Sequence, residues 1–463
     1  MRDIDVPLNV AVVGAGPAGI YACESLLRGA DAAERVISVD LIERLPVPFG
    51  LLRFGVAPDH PRIKGIARVL SQIVAEPRVR FLGGVEVGHD VTVAELRERY
   101  DAVLLATGAL TDRRLTIDGA DAAGVHGAAE FVTWYDGHPD ADPDWDLSAG
   151  RAAVVGVGNV ALDVARMLLR TPDELEPTDI PESVRQTFAG NRANHVTILG
   201  RRGPWQAKFT PKELRELDHI DRVQVIVDPA DLVPTEADQE LRAAERHVEQ
   251  NLTKLEEWAA ASPDPDVAEA AALDAGGRVL RFRFQAPPER VLTADGRVSG
   301  LEIGGPRPTT VDLEAIYTAI GYRSTPIPEV DFDDDSATIP NLDGRVTAAD
   351  APVPGLYATG WIKRGPTGVI GTNRSCASAT VDAFWADLEA GLLPEPTGEP
   401  GLRELLDSRG VHPVDGAGWQ AISDHEEQLG AAGGRERTKV AVREELLAIA
   451  REAQSVSSGS VSG

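Results

Sequence analysis

Residues 10–22, VAVVGAGPAGIYA, decide how this chain is read. An apolar, β-branched run passes into Gly14-x-Gly16-x-x-Gly19, and apolar spacing continues in helical fashion through Tyr21, Leu26 and Leu27. Strand, tight turn and helix in that order form the setting in which a glycine fingerprint binds a dinucleotide. Gly14 permits the sharp turn, Gly16 lets backbone amides approach a pyrophosphate, and Gly19 lets the helix lie close on the strand. The helix N-terminus adds the partial positive charge that phosphates favour.

The following strand narrows the ligand. Residues 36–43, VISVDLIE, read as a strand that ends in Glu43. A carboxylate there accepts hydrogen bonds from both hydroxyls of an unphosphorylated ribose, such as the one in FAD.

Further along, the Pro- and Gly-rich start of LPVPFGLLRFGVAPDHPRIKGI reads as a constrained loop, with helical spacing from Ile63. Short strands are expected at 79–82 and 102–105, with a helix at 93–100 between them. The second strand runs into Ala106-Thr107-Gly108, and a similar Ala-x-Gly end recurs at 316–321. Residues 152–161, AAVVGVGNVA, repeat the opening pattern as Gly156-x-Gly158-x-x-Ala161, with a helix at 162–169. The chain therefore carries two dinucleotide folds. Residues 171–194 read as a polar insertion, 195–199 as a strand and 234–275 as helical. Residues 278–284, RVLRFRF, and 289–303 read as an antiparallel meander. The glycine-rich segment 360–371 reads as a loop, 376–392 as a helix, 401–453 as further helices, and 455–463 as a disordered tail.

The second fingerprint differs from the first at the end of its second strand, which runs into Gly200-Arg201-Arg202-Gly203. Two guanidiniums in place of an acid form a charged clamp for a 2′-phosphate, so the second cofactor is read as NADP(H). The layout is that of an α/β protein with two Rossmann-like domains. An FAD-binding domain at 1–109 and 323–454 is split by an inserted NADP-binding domain at 110–322.

Composition bounds the rest. A chain of 463 residues easily builds two large cores. A net charge of −27 argues against nucleic acid or an anionic membrane as partner. Cys23 and Cys376 are the only cysteines and no CxxC exists, which argues against a redox dithiol, an iron–sulfur cluster or a structural zinc. No metal site is expected. Neither a signal peptide nor a membrane span is legible, and a cytoplasmic location is expected. FAD and NADPH in one chain imply hydride transfer from nicotinamide to flavin, with onward release of electrons singly or together.

The run VGAGPAGIYA, PFGLLRFGVAPDHPRIKGI, VVGVGNVALDVARML, GRRGPWQAKFTPKELREL and GWIKRGPTGVIGTN resembles the adrenodoxin-reductase-like family of ferredoxin–NADP reductases, in its bacterial branch. The resemblance covers nearly the whole chain. It implies a glutathione-reductase-like two-domain flavoprotein that passes electrons from NADPH through FAD to ferredoxin or another small acidic iron–sulfur protein, which in turn can serve a cytochrome P450. It implies FAD contacts at Ala18, Glu43, Leu51 and Val85, with Gly360, Trp361, Gly368, Val369 and Ile370 beside the isoalloxazine. It implies NADP contacts at Arg113, Asn159, Val160, Ala161, Leu162, Arg201, Arg202 and Glu213, with Gly368 touching both cofactors. His60 and Glu216 match positions near the nicotinamide and the flavin edge. A turn-held histidine and a solvated helix charge are the plain alternatives for these two, and hydride transfer itself needs no protein acid.

An acidic partner calls for a local basic patch. Arg53, Arg62, Lys64, Arg68, Lys208, Lys212, Arg215, Lys363 and Arg364 are its candidates. Two other functions stay open on the residues alone. One is an electron-input subunit similar to the small subunit of glutamate synthase, whose usual cysteine-rich N-terminal cluster region is not seen here. The other is a non-catalytic flavoprotein that senses NADPH.

Overall fold

The computed structural model describes residues 6–60, 65–397 and 401–459. The chain forms two compact units, one of Met1–Thr111, Asp136–Asp140 and Tyr322–Gly463, the other of Asp112–Tyr135 and Ala141–Gly321.

The first unit is built on a seven-stranded sheet. Its parallel part runs, in spatial order, Ala351–Ala358, Ala102–Leu105, Leu8–Val13, Ile37–Glu43 and Val79–Gly83. Arg345–Ala348 and Asn341–Leu342 add an antiparallel edge. Val10, Ala11 and Val12 are fully buried, because helices cover both faces of a central parallel strand, which accounts for the unbroken apolar run. On one face the helix Pro17–Ala32 packs along the helix Ile370–Glu389, joining Leu26 and Ala30 to Ala377, Val381 and Phe384. On the other face Val13, Val103 and Leu105 meet Leu96, Leu356 and Ile362.

The second unit holds a six-stranded, wholly parallel sheet in the order Val125–Gly127, Ala315–Thr318, Arg151–Val155, His195–Leu199, Arg278–Arg283 and Val223–Val227. A separate antiparallel sheet comprises Pro288–Ala294, Arg297–Ile303 and Thr309–Asp312.

Several expectations are corrected. Arg278–Arg283 is not part of the meander but the fifth strand of the six-stranded parallel sheet, between His195–Leu199 and the edge strand Val223–Val227. Its alternation of arginine with apolar residues mimics a half-exposed strand, yet Arg281 is neutralised by Glu269 at 2.9 Å and Asp266 at 2.8 Å. The insertion 171–194 is not merely polar. It forms the short helices Pro172–Leu175 and Glu182–Phe188, whose Leu175, Val184 and Phe188 enter the core. The helix expected at 376–392 begins at Ile370, its first turns being too rich in Gly, Thr and Asn to show a helical signal. The expected tail is helical as far as Gly459, the end of the helix Arg443–Gly459; positions 460–463 lie outside the described residues. So do 61–64, which include Arg62, Lys64 and the start of the helical spacing at Ile63. The helix that follows is Ile66–Val74. No helix among the described residues is long and apolar enough to cross a membrane.

The Glu269 carboxylate sits 3.1 Å from His195 Nε2, 2.9 Å from Arg281 and 3.6 Å from Arg151. Burial alone would push its pKa up. The His195 and Arg281 partners outweigh burial and hold it down at about 2. A carboxyl depressed in the folded state stabilises above its unfolded pKa, and that contribution is lost as pH falls from about 4.5 through 2. Glu269→Gln should therefore lose roughly 2–3 kcal/mol at pH 7 and show a flatter acid limb. Urea midpoints of the two proteins from pH 7 to pH 3 check this; parallel curves would refute it.

Candidate functional site: two glycine loops

In the first unit the three glycines have three different surroundings. Gly14 has φ +104°, and a Cβ built on it would lie 2.5 Å from the Ala106 carbonyl oxygen. A Cβ on Gly19 would lie 1.9 Å from the Gly14 carbonyl oxygen. A Cβ on Gly16 would meet nothing within 4 Å. Two glycines are thus demanded by the fold itself, and the middle one borders open space. The helix starts with Pro17 on a Gly16 N-cap, with no side-chain cap and no acid in its first turn, so its leading amides are left to a ligand.

Glu43 closes the second strand with its carboxylate aimed at that loop. One oxygen accepts from the Ala15 amide at 2.8 Å and the other from the Leu45 amide at 3.1 Å. Burial pushes the carboxyl up from the usual range, against these donors. Each oxygen keeps a lone pair for a ribose hydroxyl. Ala18 is buried, and a Cβ on Gly360, which has φ +71°, would lie 2.5 Å from the Ala18 Cβ. Leu51 opens the short helix Leu51–Phe54. Val85 has its side chain in the core and its amide on the Glu43 carbonyl at 2.9 Å, so what it offers a nucleotide is backbone.

Trp361 stacks on Tyr322 with ring centres 5.8 Å apart, and its buried indole N–H has no partner among the described residues. The Gly360 amide donates to the Cys376 sulfur at 3.3 Å. Gly368 has φ +83°. Val369 is exposed and caps the helix that begins at Ile370. Cys23 and Cys376 are both free thiols. The sequence reading passed over Thr107, whose hydroxyl is buried without a partner among the described residues and whose amide nitrogen lies beside Gly14. Its only signal was the Ala-Thr-Gly strand end. His60 is buried in a turn, its amide on the Ala57 carbonyl and its Nε2 4.0 Å from Asp59.

The second unit repeats the frame. Gly156 has φ +143°, and its Cβ would lie 2.3 Å from the Ala319 carbonyl oxygen; Gly158 again faces open space. Ala161, fully buried, takes the third position. The two Ala-x-Gly strand ends thus perform one task, seating the first glycine of each loop. Asn159 opens the helix Asn159–Leu169 and accepts the Thr210 amide on its Oδ1 at 2.8 Å. Val160 is half-buried, and Leu162 is wholly in the core and offers only backbone.

Arg201 and Arg202 follow the strand His195–Leu199 and are exposed. Among the described residues neither guanidinium has a carboxylate partner, nor does that of exposed Arg113. Glu213 is buried near the start of the helix Pro211–Glu216, with its amide on the Thr210 hydroxyl, and Glu216 ends that helix 3.9 Å from Lys212. Lys208, Lys212 and Arg215 are exposed. Arg53 is not: it is buried against Glu426 and leaves the docking patch.

These surroundings fit the two dinucleotides. The orphaned Trp361 N–H and Thr107 hydroxyl, and the open volume before Gly16 and Gly158, each leave room or a partner for a ligand. Glu43→Ala is expected to release flavin while leaving the apoprotein folded, with FAD affinity down about 10- to 100-fold for the lost charged acceptor. Titrating apoprotein with FAD checks it, and unchanged affinity would show that Glu43 does not hold the ribose.

Residues 8–219 match the model of the pyridine nucleotide-disulphide oxidoreductase family. The NADPH-ferredoxin reductase FprA of Mycobacterium tuberculosis (strain ATCC 25618 / H37Rv) is 41% identical over 469 residues, covering 96% of this chain and 99% of that protein. The mitochondrial NADPH:adrenodoxin oxidoreductase of Homo sapiens is 40% identical over 460 residues, covering 95% and 91%. Among solved structures, Mycobacterium tuberculosis FprA in complex with NADPH superposes with a TM-score of 0.86 at 39% identity, covering 96% of this chain and 100% of that one.

Proposed function

Because the chain belongs to the family of NADPH–ferredoxin and NADPH:adrenodoxin reductases, we propose that it is an NADPH-dependent reductase of an iron–sulfur protein, with FAD as its resident cofactor. The observation that carries the reading is one loop frame built twice with opposite ribose determinants: Glu43 after the first, unpaired Arg201 and Arg202 after the second. When bound, FAD accepts a hydride from NADPH and gives up the electrons one at a time, as a one-electron acceptor requires.

The chain's own residues bind and orient. In this reading Gly14, Gly16 and Gly19 with the Pro17–Ala32 helix receive the FAD diphosphate, and Glu43 takes its ribose. Ala18, Leu51 and Val85 line the path, and Trp361 with Gly368, Val369 and Ile370 borders the ring system. The N-terminus of Ile370–Glu389 aims its dipole there, which favours negative charge. Gly156, Gly158, Asn159, Val160, Ala161 and Leu162 receive the second diphosphate, Arg201 and Arg202 grip the 2′-phosphate, and Arg113 and Glu213 complete that site. The first unit is thus assigned as the FAD domain and the second as the NADP domain. His60 and Glu216 act by position and charge, since the transfer calls for no proton from the protein. We place the reaction in the cytoplasm, a setting in which Cys23 and Cys376 stay as thiols.

The test is anaerobic titration of the yellow protein with NADPH, followed by addition of ferredoxin. The flavin band should bleach with one equivalent of NADPH and recover as ferredoxin is reduced. A colourless protein that takes up no FAD, or one bleached equally well by NADH, would overturn the reading.

A further inference from the structure

The turn that lies on the first glycine loop is strained, and the groups that hold it come from the far end of the chain. Phe49 has φ +85°, a conformation that a bulky residue adopts only when its surroundings impose it. Its amide donates to the Ala15 carbonyl at 2.7 Å. A Cβ on Gly50, with φ +49°, would lie 3.2 Å from the Gly16 Cα, so the turn rests directly on the loop. The turn runs into Leu51–Phe54, and there Arg53 is buried with its guanidinium 5.1 Å from the Phe54 ring centre and 5.7 Å from that of Trp419.

Arg53 pairs with Glu426, a fully buried carboxylate in the helix Gly416–Ala432. Glu426 also accepts from Arg437 Nη1 at 2.9 Å and from the Val440 amide at 2.9 Å. Lys439 Nζ donates to the Arg53 carbonyl at 2.7 Å and to Asp136 Oδ1 at 2.8 Å. The Phe49 ring meets Trp419 edge-on, 5.6 Å between centres. The side chain of Arg53, its carbonyl and the Phe49 ring are therefore each gripped by residues between 419 and 440.

A buried ion pair is a poor stabiliser, since apolar residues of similar volume do as well or better once desolvation is counted. The pair is better accounted for by what it fixes, and what it fixes is a strained turn on a ligand loop. We propose that Glu426 is a positioning residue for the flavin: acting through Arg53, it holds the Phe49–Gly50 turn against the Gly14–Gly19 loop and so sets the shape that receives the diphosphate. Lys439 does the same through the Arg53 carbonyl. This rests on the reading of the first unit as the flavin domain.

The experiment strips the flavin, titrates the apoprotein with FAD by fluorescence quenching, and records urea unfolding of the apoprotein in parallel. The proteins are wild type, Glu426→Gln, and the pair Arg53→Met with Glu426→Leu. Glu426→Gln should weaken FAD binding by about 10-fold or more. The apolar pair should recover part of the urea midpoint lost in Glu426→Gln, short of wild type because leucine leaves the Arg437 and Val440 donors without their acceptor, while its FAD affinity stays weakened; NADP affinity should be unchanged in both. If FAD affinity returns with stability in the pair, or never falls, the positioning role is wrong. If the pair does not fold, the ions are a structural necessity and the role is equally wrong. Wild-type apoprotein that takes up no FAD would instead sink the flavin reading itself.

Discussion

Gly19→Ala is expected to destabilise the protein by about 4 kcal/mol or more and to leave it without flavin, whereas Gly16→Ala should fold normally and lose the flavin alone. The contrast comes from what each methyl meets. At Gly19 it would lie 1.9 Å from the Gly14 carbonyl oxygen and 3.3 Å from a Val12 methyl. The closer obstacle is backbone, so relief requires the helix Pro17–Ala32 to lift off the strand Leu8–Val13 and open the core between them. A Cβ on Gly16 would meet no atom of the described residues within 4 Å, so the methyl should change stability by less than about 0.5 kcal/mol. It would, however, stand where a diphosphate must approach the amides. Urea unfolding and flavin content per protein separate the two effects. A Gly16→Ala protein that keeps its flavin would show that the open space is not the diphosphate site.

Replacing both Arg201 and Arg202 by alanine should raise KM for NADPH on the order of 100-fold and leave KM for NADH unchanged. A charge-assisted hydrogen bond to phosphate contributes about 1.5–3 kcal/mol, and solvent exposure places each arginine at the lower end, near tenfold. Because no carboxylate among the described residues holds either guanidinium, the substitutions should leave stability intact, and the loss belongs to the ligand alone. The dissociation constant of NADP+ should rise in step with KM, and flavin content should not move. Equal losses with NADPH and NADH would mean that the arginines do not read the 2′-phosphate.

Much of this was legible in the sequence for a physical reason: a tight turn that admits no side chain can be written only in glycine. Gly14 reads as a turn glycine and Gly19 as a close-packing glycine, and the carbonyl oxygens crowding each of them agree. Glu43 and the arginine pair stand out in the sequence because each places charge at the end of a second strand. What escaped was settled by distant partners. Arg53 reads as one more surface cation until Glu426, 373 residues away, is seen against it. The strand Arg278–Arg283 reads as half-exposed until Glu269 and Asp266 cancel its charge. The first turns of Ile370–Glu389 are helical through packing on Pro17–Ala32, which no local propensity reports. Thr107 showed only as a strand end, since an unpaired hydroxyl has no sequence signature.

Asp136–Asp140 has a bearing on how the chain can be dissected. These five positions belong to the first unit although 112–135 and 141–321 on either side belong to the second. Asp136 engages Lys439, and Asp140 engages Arg44 and Arg443. A truncated gene joining 1–111 to 322–463 would strand the Lys439 ammonium in the interior without its acid, an arrangement that costs about 3–5 kcal/mol. The two units are thus not separable cassettes, and any chimaera that exchanges one of them must carry this pentapeptide with the unit to which it is bonded.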